Sequence, residues 1–242
     1  VALGDAANKV LLESYTESPA TWQTFAAVRS CFNFKEHTGV RPSQARGLTQ
    51  VAPGGEFKHG SIREATYKDQ VDTFGQMLGV DRRDIINDDL SVFDDTARSL
   101  GRAAMRSLSD LVYKVLLGNA GLFFSTGHGN YDEGAGSALS MTSLGVGIAR
   151  MMAQRDDENR DLDIRARTLL VPPELQQTAK ELLQSDFIQR ANNDSPTGNA
   201  LKNAVSLEVE PRLSNDKRFS GTSTKGWYLF ANPGDAAIVV AF

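Results

Sequence analysis

The clearest pattern along the chain is a row of apolar residues, Phe93, Ala97, Leu100, Ala104, Leu108, Leu111 and Val115. Intervals of three and four keep them on one face of a helix. Asp94 and Asp95 stand near its start, where negative charge suits the helix dipole. Gly118-Asn119 stops it. From Thr96 to Leu117 alone the pattern predicts a rod of about 33 Å at 1.5 Å per residue. Ser140 can cap a second helix with Met141, Leu144, Ile148 and Met151 turned inward. Thr168-Leu169-Leu170-Val171 reads as a buried strand, ended by Pro172-Pro173. Pro173 can open a third helix, with Leu175, Ala179 and Leu182 on its inner face. Val205, Leu207 and Val209 alternate with polar residues, the signature of a half-exposed strand. Trp227 to Ala231 and Ala237 to Phe242 are two further apolar strands. Gly118 to Gly136, Arg155 to Asp163 and Asn192 to Asn199 read as loops. There is no internal repeat.

The N-terminal third is less regular. Gly4 to Tyr15 has loose helical spacing and ends at Ser18-Pro19. Thr21 to Phe34 is apolar enough for either an extended arm or a short helix, and periodicity does not choose between them. From Lys35 to Gln70, glycine and proline recur and bulky apolar residues are sparse. A structureless loop of this length is unusual in a compact domain. Thr49, Val51, Phe57 and Lys58, then Ile62, Thr66 and Tyr67, therefore predict two short strands flanking Pro53-Gly54-Gly55, a long projecting hairpin. Arms of about 15 residues would reach about 50 Å. An isolated two-stranded ribbon is marginal in water, so the projection needs a partner surface. Val71 to Asp81 alternates loosely and reads as a strand.

Composition narrows the function without naming it. The 242 residues carry 26 basic and 30 acidic side chains, a formal net charge of −4. That balance argues against tight coating of nucleic acid, which needs clustered cations. The densest basic groups, Arg82-Arg83 and Arg165-Ala166-Arg167, are short. The single cysteine, Cys31, excludes a disulfide framework and a cysteine zinc module. Flanked by Val28, Phe32 and Phe34, it reads as a buried apolar residue. No run approaches the ~20 apolar residues of a membrane span, and no leader is visible. The expectation is a reduced, soluble chain without cofactor or metal.

Candidate chemistry is thin. His37, His59 and His128 are too far apart in sequence for a local metal site. Gly127-His128-Gly129-Asn130 could expose a general base, but a tight turn whose glycines supply positive φ is the better reading. The acidic run Asp81, Asp84, Asp88, Asp89, Asp94 and Asp95 lacks the glycine and closing glutamate of a calcium loop. Phosphate-loop, dinucleotide, nucleophile-elbow and zinc-protease signatures are absent.

Several segments, taken in order, resemble one family. They are Thr21-Trp22-Gln23-Thr24-Phe25-Ala26-Ala27-Val28-Arg29 with Phe34-Lys35-Glu36-His37, and Gly55-Glu56-Phe57-Lys58-His59-Gly60 with Glu64-Ala65-Thr66-Tyr67-Lys68. Arg82-Arg83-Asp84-Ile85-Ile86-Asn87-Asp88-Asp89-Leu90, Leu100-Gly101-Arg102-Ala103-Ala104, Leu169-Leu170-Val171-Pro172-Pro173 and Val209-Glu210-Pro211-Arg212-Leu213 complete the set. Together they resemble the major head subunit of Mu-like tailed phages and prophages. The resemblance implies an α+β, HK97-like capsid fold. Its parts would be an N-terminal arm (1–34), an extended loop (35–70), a peripheral domain with a spine helix (71–118) and an axial domain (119–242) that begins a return to the peripheral domain. It implies a non-enzymatic shell protein forming hexamers and pentamers of an icosahedral head around double-stranded DNA, assembled in the host cytoplasm. Portal, scaffold or protease, and decoration proteins are implied partners, with no membrane. Relatives run on past the last apolar strand and are cut from precursors, so Val1 is expected as a cleavage scar and Phe242 as a truncation point. Subunit contacts are expected at Trp22 and Phe25 in the arm and at Phe57, Lys58, Arg63 and Tyr67 in the hairpin. The alternatives are an encapsulin-like nanocompartment shell and a hydrolase using His128.

Overall fold

The computed structural model describes residues 2–42, 64–75, 83, 90–155, 159–188, 197–235 and 238–242. At its centre is strand β4 (Thr168–Val171), buried along its whole length. It sits between β7 (Ser206–Val209), which runs parallel to it, and β8 (Tyr228–Phe230), which runs antiparallel. Successive side chains of a strand face opposite ways. Leu170 accordingly enters one apolar core, while Leu169 and Val171 enter another. A continuous apolar run is what a strand covered on both faces requires.

The first core joins distant parts of the chain. Trp22, Phe25 and Ala26 pack with Val112, Tyr113, Leu116 and Leu117, and with Leu213, Phe219, Phe230 and Val240. Phe25 stacks on Phe230 at 4.3 Å and meets Tyr113 edge-on at 6.2 Å. The second core lies under helices α3 (Met141–Met152) and α4 (Gln176–Gln184), whose Leu144, Ala179 and Leu183 cover Leu169 and Val171. Ser140 caps α3 as expected, in a reciprocal box with Ser143. Pro173 opens a short 3₁₀ turn, Pro173–Leu175, that leads into α4. Two residues of β5 (Phe187–Ile188) pair with β6 (Thr197–Gly198) beyond it.

The long helix, α2 (Leu90–Leu117), begins earlier than Thr96. Asp94 and Asp95 therefore stand one turn inside it, exposed. Asn119, in the left-handed region at φ 46°, follows its end. Its buried face is not the expected one. Ala97 is buried, but the row continues through Gly101, Met105, Ser109, Val112 and Leu116, with Tyr113 and Leu117 beside it. Leu111 and Val115 are 37% and 54% exposed. The cause is the small residues. A Cβ at position 101 would lie 2.4 Å from the carbonyl oxygen of Leu11, so only glycine lets α1 (Ala2–Glu17) settle onto the helix. Ser109 satisfies its hydroxyl on the Met105 carbonyl at 2.9 Å, which makes it cheap to bury. A pattern weighted by large apolar residues skips both positions.

The arm combines the two open alternatives. Thr21–Thr24 forms one 3₁₀ turn. β1 (Ala27–Arg29) follows and pairs in parallel with β9 (Val239–Ala241). A two-stranded ribbon is present, with β2 (His37–Pro42) antiparallel to β3 (Glu64–Asp69). Its first strand is His37–Pro42, whereas the sequence pattern placed strand character between Thr49 and Lys58. That segment and Pro53-Gly54-Gly55 lie outside the described residues. The strand expected from Val71 to Asp81 is not formed over 71–75, where no strand among the described residues supplies a ladder; the remainder lies outside the described residues.

Candidate functional site

The most connected polar group among the described residues is a tie, not a reactive centre. Glu210 is 2% exposed at the end of the β7 segment. Its carboxylate accepts from the Thr21 hydroxyl at 2.5 Å and from Arg212 Nη1 at 2.9 Å. Thr21 also shares a hydrogen bond of 2.7 Å with the Tyr113 hydroxyl. Arg212 Nε donates to Asp110 at 2.6 Å, and Arg218 reaches the other oxygen of Asp110 at 2.5 Å. Arm, long helix and the Glu210–Arg218 segment are thus locked together by one network. Pro211 sets the turn that points Glu210 inward and lets Arg212 reach back to it.

The electrostatics follow from burial. Tyr113 is pushed well above the ordinary phenol range, first by burial and then by the Glu210 charge, with the Thr21 hydrogen bond opposing. For Arg212, burial works against the charge, but the hydrogen bond to Asp110 and the charge of Glu210 outweigh it and raise its pKa. The guanidinium also lies 5.8 Å above the Tyr113 ring. A permanent cation, two carboxylates and a neutral phenol hold each other in place. No nucleophile with an adjacent base is assembled there, and no group of three metal-ligating side chains occurs among the described residues.

His128 falls in the tight turn. Ser125 caps the 3₁₀ turn Thr126–His128, and Gly129 takes φ +65°. The exposed ring meets the Phe123 carbonyl at 3.0 Å through Nδ1. Cys31 is half-buried, its thiol 3.3 Å from the Asn33 carbonyl.

The expected contact residues separate into three groups. Trp22 and Phe25 are each 1% exposed within the chain's own core. They have no surface to offer a neighbour, because β8, β9 and the long helix already cover them; this corrects the expectation for the arm. Trp22 Nε1 is buried without a hydrogen-bond partner. Tyr67 stands in β3 opposite Gly39. Phe57, Lys58 and Arg63 lie outside the described residues. The sequence reading missed the outer arm. Phe32 is 96% exposed, Phe34 65%, Val28 61% and nearby Phe74 71%. The Gln70 side chain donates to the Phe34 carbonyl at 3.3 Å, which ties Phe34 to the base of the ribbon. The available signal was the even spacing of Val28, Phe32 and Phe34, which turns them to one side of an extended chain.

Against known proteins, a family model described as phage capsid protein matches residues 66–242. No curated protein matches. Among solved structures, the procapsid of bacteriophage JBD30 is similar with a TM-score of 0.63 at 18% identity, covering 87% of this chain and 97% of that one. The bacteriophage JBD30 capsid gives 0.62 at 20% identity, covering 81% and 91%. The same capsid decorated with minor capsid protein trimers gives 0.58 at 20% identity, with the same coverage.

Proposed function

The chain belongs to the phage capsid protein family, and from that premise we propose that it is the major subunit of an icosahedral, Mu-like tailed-phage head. Copies assemble into hexamers and pentamers and enclose double-stranded DNA. The long helix forms the peripheral part, next to the arm, and the segment after Gly118 forms the axial part, with β9 beginning the return to the peripheral part. β2 and β3 are the base of the extended loop. Its Phe57, Lys58, Arg63 and Tyr67 meet a neighbouring subunit.

The observation that carries this reading is the contrast inside one arm. Trp22 and Phe25 complete a core, while Phe32 and Phe34 are 96% and 65% exposed. Exposed aromatic groups of this kind mark interaction surfaces. A patch on one copy that fits a different patch on the next makes a heterologous contact, which closes into rings. A capsid role is structural, and the network around Glu210 is built to hold position. A decorating protein on the outside is proposed by analogy with the decorated JBD30 capsid.

Electron microscopy of the purified full chain tests the reading. Shells or capsomer rings with nuclease-protected double-stranded DNA in particles from infected cells are expected. Particles filled with a cargo protein would point to a nanocompartment. A chain that stays monomeric at high concentration would overturn the shell.

A further inference from the structure

The long helix carries a second periodicity. Arg98, Arg102 and Arg106 follow one another at four-residue intervals, and Asp110 comes next. Each four-residue step advances about 40° around the helix, so the three arginines lie within about 80° of one another as surface neighbours, and all three are exposed. From Arg98 to Arg106 they span about 12 Å at 1.5 Å per residue. Among the described residues, no carboxylate forms an ion pair with Arg98, Arg102 or Arg106.

Asp110 does not break the row as a free negative charge. Its two oxygens are taken by Arg212 and Arg218, and the Arg218 side chain is 65% exposed. A hollow of about 400 Å³ opens beside it, lined by Arg106, Ser107, Asp110, Arg212, Asn215 and Arg218 among others. Asp94 and Asp95 stand one turn before Arg98, Glu13 and Glu17 lie exposed on the neighbouring α1, and Glu210 is buried beneath Arg212. Arg98, Arg102, Arg106 and, across the hollow, Arg218 nevertheless form a short ridge of four exposed cations on a chain of net charge −4.

We propose that this ridge is the surface that meets the phosphates of enclosed double-stranded DNA, an inference that rests on the capsid role proposed above. Guanidinium groups keep their charge at any working pH. A short ridge of closely spaced cations suits a dense polyanion, and duplex DNA carries about one charge per 1.7 Å of axis. The row contains no aromatic side chain, so it offers no stacking platform for single strands. Phosphate contacts position a duplex without reading its sequence. The exposed face of the long helix is therefore the inward face of the shell. The contact is local and salt-sensitive, which lets a duplex slide during filling.

The test is binding of the full chain to a 30-base-pair duplex, followed by fluorescence anisotropy against salt. If four ridge cations each neutralise one phosphate, affinity falls about 150-fold between 50 and 200 mM salt. For Arg98→Gln/Arg102→Gln/Arg106→Gln, with one ridge cation left, the fall is about 3- to 4-fold over the same range. The matching Arg→Lys triple variant keeps the steep slope, and unchanged melting of both variants separates lost charge from lost fold. Wild-type affinity and slope in the Gln variant would overturn the proposal. So would polyglutamate of matched charge binding more tightly than the duplex, which assigns the ridge to an acidic protein. Electron micrographs of the same samples keep the two readings apart. Shells from the Gln variant are expected; a wild type that forms shells while this variant forms none makes the ridge a subunit contact and overturns the proposal. A wild type without shells overturns the capsid reading itself.

Discussion

Trp22 and Phe25 lie within a dozen residues of Phe32 and Phe34, on the same arm, yet the first pair is 1% exposed and the second 96% and 65%. The residue types are alike, so hydrophobicity does not explain the difference. The inner arm forms a 3₁₀ turn and then a strand paired with β9, which places its rings against Phe230, Tyr113 and Phe242. The outer arm lies beyond that pairing, and its aromatic groups, as apolar as those of the core, are exposed. Under the proposed capsid role, the inner arm governs stability and the outer arm governs association.

That contrast can be broken most severely from the inside. Phe25→Ala removes a ring packed against two others and is expected to cost about 3–5 kcal/mol of folding stability. A denaturant melt of the full chain reads this directly. Next comes the network that fastens the inner arm. Arg212→Ala leaves Glu210 buried without its cation, and breaking a buried pair costs about 3–5 kcal/mol. Its partial exposure places this substitution near the lower end, below Phe25→Ala. If the Arg212 variant melts like wild type, the tie around Glu210 does not hold the arm. Thr21→Val keeps the volume but removes the hydroxyl shared by Glu210 and Tyr113, a loss of about 1–3 kcal/mol from groups left short of a partner.

The outer arm should behave in the opposite way. Phe32→Ser/Phe34→Ser is expected to shift stability within about 0.5 kcal/mol, as exposed substitutions do. The same variant should raise the concentration needed for assembly, measured by light scattering. A large drop in melting temperature with normal assembly would erase the distinction between the two halves. The smallest effect is expected at Glu208, whose pKa is raised by partial burial. Its ionised form is penalised in the folded state, so Glu208→Gln should slightly stabilise the chain at neutral pH. As pH falls through the raised pKa, wild-type Glu208 takes up a proton and the penalty disappears. The gap between the two melting temperatures should therefore close toward acid; a gap that widens would contradict the sign.

Much of the C-terminal half was legible from pattern alone. Leu169-Leu170-Val171 is apolar without alternation because β4 is covered on both faces, and Ser140 caps α3 through hydrogen bonds made within four residues. Such features depend on neighbours in sequence or on a simple period. The buried face of the long helix was less legible. Gly101 and Ser109 are buried because α1 needs a close approach and because a serine can bond its own helix, and neither reason shows in hydropathy. The Glu210 network was invisible for a related cause. Thr21, Asp110, Tyr113 and Glu210 are polar residues spread over 189 positions, and no local spacing connects them.

The linear chain by itself determined the long helix, the capped second helix and the doubly covered central strand, because each follows from local periodicity or a cap. It also carried the ordered segments through which the family was recognised. Only the tertiary structure decided which aromatic residues of the arm are core and which are surface. Burial is a property of what packs against a residue, and the residues that pack against Trp22 and Phe25 come from the other end of the chain.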